Sequence, residues 1–192
     1  MDTTLIVPGL HGSGVEHWQS WFEAQIPGCI RVIQSDWSVP DLASWSARVR
    51  RELNRAPGRV WIVAHSFGCL AAVNVAAESS ERISGMMLVA PADPSRFGLQ
   101  KAIPSGVLGV HSIVVASTND RWMSIDRAAI WANAWGSQLL NLGQVGHINA
   151  SSGHGAWPRG LDIYRSLRGE ASAVRVSSDH RSSEDVLELG DI

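Results

Sequence analysis

The chain has 192 residues, 45% of them hydrophobic and 18% charged, with a formal net charge of −2 at pH 7. That length suits one domain with a sizeable core, and the apolar content excludes an intrinsically disordered chain. The near-neutral balance gives no electrostatic reason to bind nucleic acid or an anionic membrane, so neither partner is expected.

The chain opens with "TTLIVP" (3–8), a strand-like run, and no basic segment followed by a long apolar stretch precedes it. No signal peptide is visible and no apolar run approaches the roughly 20 residues of a membrane span, so a cytoplasmic location is expected. The loop "PGLHGSGVEHW" follows, with glycines at 9, 12 and 14 that let a backbone approach a ligand closely. It is neither G-x-G-x-x-G nor followed by Lys-Ser/Thr, so it does not read as a phosphate loop. A helix is expected over 15–25, with Val15, Trp18 and Phe22 on its inner face.

Next come the strand run "IRVIQS" (30–35) and an amphipathic helix in "DLASWSARVRRELNRA", where Leu42, Trp45, Val49 and Leu53 are spaced 3, 4 and 4. Pro57-Gly58 ends it. Further strand runs are "VWIVAH" (60–65), "GMMLVAP" (85–91), "SIVVAS" (112–117) and "QLLNL" (138–142). Most are continuous Val/Ile/Leu rather than alternating, as when both faces of a parallel sheet are covered. Helices are expected after Ser124, closing on Gly136, and over "WPRGLDIYRSLRG" (157–169). This β-α alternation predicts an α/β fold: a doubly wound, mostly parallel sheet of about six strands with helices on both faces. Residues 1–169 form that domain. Residues 170–192, serine-rich with six acids against two arginines, read as a solvated, mobile tail.

Cys29 and Cys69 match no metal spacing or disulfide framework and read as small buried hydrophobes. Nine tryptophans exceed what this length needs for a core, which hints at a rigid pocket wall.

"VWIVAHSFGCLAAV" places a serine where a buried strand turns into a small-residue helix. This is close to G-x-S-x-G, the nucleophile elbow, with Ala64 in place of the first glycine and Gly68 as the second. Ser66 then stands at a helix N-terminus, and the Phe67 N–H faces the oxyanion that forms when the hydroxyl attacks a carbonyl. The plainer alternative is a serine that merely caps the helix.

A serine nucleophile needs a base, and the base needs an orienter. On such a sheet they follow in the order Ser, Asp or Glu, His, each at the carboxyl end of a strand. Asp120 follows the strand at 112–117, and His147 follows the strand at 138–142. Asp93 is a competing orienter and His154 a competing base, while Asp126 is expected to serve its helix N-terminus. His65 should point away from the Ser66 hydroxyl; His17, His111 and His180 read as surface or loop residues. The second oxyanion donor is expected to be the N–H of Leu10, with that of His11 next. His11, Trp37, Phe97 and Trp122 are candidate pocket walls, with Trp18 a further possibility. No metal-ligand motif occurs, and neither metal nor cofactor is implied.

The segments "VPGLHGSGVEHWQSWFE", "SDWSVPDLASW", "VAHSFGCLAA", "LVAPAD" and "WGSQLLNLGQVGHINASSGHGAWPRG" resemble the small α/β-hydrolases related to retinoblastoma-binding protein 9 and to bacterial YdeN. The resemblance covers about residues 3–168. It implies a serine hydrolase with Ser66, Asp120 and His147 as triad, on a minimal fold without a large lid. Together these readings predict cleavage of small ester or amide substrates through an acyl-enzyme. A shallow pocket should favour short acyl chains. The alternative is a protein-binding role on a hydrolase scaffold.

Overall fold

The computed structural model describes residues 2–170. The acidic segment read as a mobile tail falls outside the described residues from position 171 onward. Six strands form one parallel sheet: β1 (Thr3–Val7), β2 (Cys29–Arg31), β3 (Val60–His65), β4 (Ile83–Val89), β5 (Ser112–Ala116) and β6 (Gln138–Asn141). Their order across the sheet is β2-β1-β3-β4-β5-β6. Among the described residues, five helices connect and cover them: α1 (Trp18–Gln25), α2 (Leu42–Arg55), α3 (Phe67–Ser79), α4 (Ile125–Trp135) and α5 (Pro158–Leu167). The expected α/β architecture is present, with no large lid among the described residues.

The continuous apolar strands have a simple cause. Successive side chains point to opposite faces, and each face has its own core. Leu5, Ile62, Ala64, Met86, Leu88 and Val114 pack with residues of α2, α3 and α4. Ile6, Val63, Met87, Val89 and Val115 pack with residues of α1 and α5. A strand sandwiched in this way has no polar face to display.

The helix boundaries follow local chemistry. Asp41 caps α2, its carboxylate accepting from the N–H groups of Ala43 and Ser44 at 3.1 and 3.3 Å. The helix buries Leu42, Trp45, Val49 and Leu53, and Ala56, the residue before Pro57, turns extended. Burying a leucine such as Leu53 contributes about 2–5 kcal/mol against alanine. Ser124 caps α4, and Gly136 ends it in a left-handed turn at φ 69°.

Four expectations need correction. The first helix begins at Trp18, not Val15, because Gly14 and the His17 cap keep the preceding segment in a turn. Val15 is 88% exposed in that turn and lies on no helix face. The strand expected over 30–35 ends at Arg31, with only Val32 donating one further bond, to Ile6 O. It is the sheet's edge, where a short strand limits pairing with other chains. Trp18 itself is fully buried in the core and walls no cavity. Cys69 is buried as expected, whereas Cys29 is only half-buried.

The sheet order reverses at β1 and β3. Loops leaving their carboxyl ends flank a crevice there, the place where open α/β sheets bind ligands.

Candidate active site

Ser66 joins β3 to α3 with φ 52° and ψ −124°, a conformation L-residues avoid and one that costs about 1–3 kcal/mol. The surroundings hold it there. Its N–H donates to Val89 O at 3.1 Å, and its carbonyl accepts from the N–H groups of Cys69 and Ala92 at 3.0 and 3.2 Å. Its side chain makes no cap bond to α3, so the plain capping role is not observed.

The small residues around it have a steric reason. A Cβ on Gly68 would lie 2.3 Å from Pro8 O and 2.6 Å from Val7 O. The start of α3 therefore packs directly on the end of β1. A Cβ on Gly9 would lie 2.7 Å from the Ser66 Cβ, so glycine brings the loop after β1 against the serine.

Residues 81 positions apart meet at the serine hydroxyl: His147 Nε2 is 2.9 Å from Ser66 Oγ. The other ring nitrogen, Nδ1, lies 2.8 and 3.0 Å from the two carboxylate oxygens of Asp120. The Asp120 side chain is 2% exposed, and its Oδ1 also accepts from the Trp122 N–H at 2.8 Å. Neither competitor takes these places. Asp93 caps the short 3₁₀ turn Pro94–Phe97 and pairs with Arg127, while Ser152 Oγ bonds Nδ1 of His154. Burial pushes the Asp93 carboxyl up, but the bonds from Arg127 and Ser95 outweigh it and hold it below the usual range.

Side chains that sequence reasoning did not single out position the two loops. Ser117 Oγ donates to Asn119 Oδ1 and accepts from the Val145 N–H, and Asn119 Oδ1 also accepts from the Gly146 N–H at 2.7 Å. The loop after β5 is thereby stitched to the loop after β6. From below, His65 Nε2 donates to His147 O at 3.0 Å, and the Trp18 indole donates to Ile148 O at 2.8 Å. The His65 side chain does turn away from the Ser66 hydroxyl.

His17, expected at the surface, is buried. Its Nδ1 accepts from the Gln19 N–H as the cap of α1, and its ring lies edge-on to His65 at 4.9 Å. Burial, with a smaller push from the Arg31 charge, lowers its pKa to about 4. Burial, then the neighbouring His147 and His17, hold His65 well below the ordinary imidazole range. His111 is exposed as expected, and His180 lies outside the described residues.

A cavity of about 520 Å³ opens over Ser66 and His147, walled by Leu10, His11, Phe97 and Trp122. Val15 and Glu16 stand at its edge. Trp37 is no part of this wall. Its ring lies against Gly12 and edge-on to the buried Trp45, pinned by the bond from the His11 N–H to Trp37 O at 2.8 Å. That bond engages the His11 N–H. Among the described residues, no turn, loop or side-chain acceptor engages the N–H groups of Leu10 and Phe67. Among the described residues there is also no cluster of three or more His, Cys, Asp or Glu placed to hold a metal, and no helix long and apolar enough to cross a membrane.

The serine hydrolase family profile matches residues 4–166. A YdeN-like hydrolase of Pectobacterium atrosepticum is 43% identical over 88% of this chain and 91% of its own, with a TM-score of 0.84. The ydeN gene product of B. subtilis superposes with a TM-score of 0.75 at 18% identity, over 88% of this chain and all of the other. Esterase 2 of Thermogutta terrifontis shares the fold at 14% identity, with a TM-score of 0.62 over 89% and 84% of the two chains. No curated protein matches. With nearly all its described residues inside the profile and a YdeN-like hydrolase as a clear relative, the chain belongs to the serine hydrolase family.

Proposed function

We propose that the protein hydrolyses small esters or amides by two-step acyl transfer, with Ser66 as nucleophile, His147 as base and Asp120 as orienter. One observation carries this reading: a single imidazole bonds the serine hydroxyl through Nε2 and a buried carboxylate through Nδ1. In the tautomer this requires, Nδ1–H donates to Asp120 and the Ser66 hydroxyl donates to Nε2.

As Ser66 Oγ attacks the substrate carbonyl carbon, its proton passes to His147 Nε2. The carbonyl oxygen gains the negative charge, and the Leu10 and Phe67 N–H groups are the donors available to hold it. Expulsion of the alcohol or amine breaks the scissile bond, and the proton on Nε2 goes to that leaving group. Water, deprotonated by the same nitrogen, then attacks the acyl-enzyme; the acid departs and the hydroxyl is restored. Asp120 stabilises the imidazolium in both halves without taking the proton. The cavity of about 520 Å³, with Leu10, Phe97 and Trp122 in its wall, would receive the acyl group, and its size suits medium chains as well as short ones.

The test is labelling of the purified protein with a fluorophosphonate probe, followed by nitrophenyl esters of increasing chain length beside aminoacyl amides. Ser66→Ala should abolish labelling and lower turnover by about 10⁶-fold. Labelling that persists in Ser66→Ala, or a wild-type protein that neither labels nor turns over, would overturn the proposal and favour a binding role.

A further inference from the structure

We infer that the leaving group of the substrate carries a negative charge and that Arg96 and Arg121 form its subsite. This rests on the hydrolase reading above, because it assigns the side of His147 from which the alcohol departs.

A second cavity, of about 620 Å³, adjoins the first and shares with it Trp122, His147, Asn149 and Ser151. Its character differs. Ser66, Leu10 and Phe97 face only the first cavity, whereas Arg96, Arg121, Asn119 and Ser152 face only the second. The imidazole that must deliver a proton to the departing oxygen thus stands at the boundary between an apolar chamber holding the nucleophile and a polar cleft. An ester laid across Ser66 with its acyl part in the apolar chamber puts its alcohol part in the cleft.

The cleft holds two cations and no carboxylate partner for them. Among the described residues, neither Arg96 nor Arg121 forms a salt bridge. The nearest acids along the chain are spent elsewhere: Asp93 on Arg127 and Ser95, Asp120 on His147. Arg96 is also held in place. Its guanidinium lies 5.2 Å over the Trp122 ring, and its Nη2 donates to Arg121 O at 2.6 Å. A guanidinium fixed in this way loses little freedom on meeting a carboxylate. Glu16, which no cation pairs among the described residues, lines only the first cavity. The arginines line only the cleft, so an anionic leaving group meets them in one orientation of the substrate.

Two esters of one acyl group test this: 4-carboxyphenyl butanoate and its neutral near-isostere, 4-carbamoylphenyl butanoate, with each kcat/KM divided by the rate of hydroxide hydrolysis. The wild-type ratio should favour the carboxylate by about fivefold, as expected for exposed charge pairs, and should shrink at 0.5 M salt. It should fall to about one in the double variant Arg96→Gln, Arg121→Gln. Arg121→Glu, a single change at an exposed residue, should turn the preference toward the neutral ester. Binding of 4-hydroxybenzoate against 4-hydroxybenzamide to the Ser66→Ala protein, followed by calorimetry, should show the same order and the same loss. A wild-type ratio near one, or one unmoved by Arg121→Glu, overturns the inference while leaving the hydrolase reading intact. Absence of turnover with selective hydroxybenzoate binding overturns the hydrolase reading and keeps the anion subsite.

Discussion

The serine and the histidine of this site are held by opposite means. Ser66 is fixed by its backbone: a strained turn, three main-chain hydrogen bonds, and two glycines that let neighbouring segments close on it. His147 sits in a long loop and is fixed by side chains from elsewhere, namely Ser117 and Asn119 from the loop after β5, His65 from β3 and Trp18 from α1. A proposed nucleophile built into the fold fails only when the fold does. A proposed base hung from side-chain bonds can be loosened on its own.

The largest expected effect breaks the first arrangement. Gly68→Ala forces a methyl group against the carbonyl oxygens of Val7 and Pro8 at the end of β1, neither of which can yield without moving the chain there. It should cost about 3 kcal/mol, read as a lower urea midpoint, with activity falling alongside. Acid separates the two arrangements next. The main-chain bonds that hold Ser66 involve no titrating group, while the histidine loop is carried by the buried imidazole of His65, against which the buried His17 packs. His17, at about 4 when folded, lies below the ordinary 6.5, so the unfolded chain binds its proton first. Its contribution is complete above pH 6.5 and is lost as pH falls toward 4, by about 3 kcal/mol in total. His65, lowered in the same direction, steepens the decline. In His17→Asn, which keeps a capping oxygen for α1, the slope of unfolding free energy against pH should lose about one proton.

Asn119→Ala attacks the second arrangement alone. It removes the acceptor for the Gly146 N–H, one residue from the base. Turnover should drop by about 30-fold, with a change in unfolding temperature of only a few degrees, because misplacement rather than unfolding is the cause. The smallest effect concerns the walls. Trp122→Leu should raise KM by about threefold by removing apolar contact from the cavity. Trp37→Leu should leave KM unchanged and lower stability instead, since its ring packs on Trp45.

The same contrast explains what could be read from the residues alone. The elbow was legible because its causes are local: small residues two positions to either side, a strand before it and a helix after it. The sheet was legible because covering both faces leaves uninterrupted apolar runs in β3, β4 and β5. Asp120 and His147 could be assigned by chain order, but not the hydrogen bonds of Ser117 and Asn119, which join segments 26 to 28 residues apart. Nothing near Trp37 announces that its carbonyl will receive the His11 N–H and draw its ring away from the cavity. His17 misled for a similar reason. Its burial depends on His65, 48 positions away, whose ring closes edge-on over it beside the adjacent Trp18.

His65 is covalently next to Ser66, the proposed nucleophile, and its own ring donates to the carbonyl of His147, the proposed base. The alcohol and the imidazole therefore share a mount. When the sheet breathes, a displacement of the strand end transports both reacting groups together, and the gap between them changes less than either position does. The other supports, Ser117, Asn119 and Trp18, belong to different segments, so the pair keeps its spacing through this one contact and can still be loosened at the others.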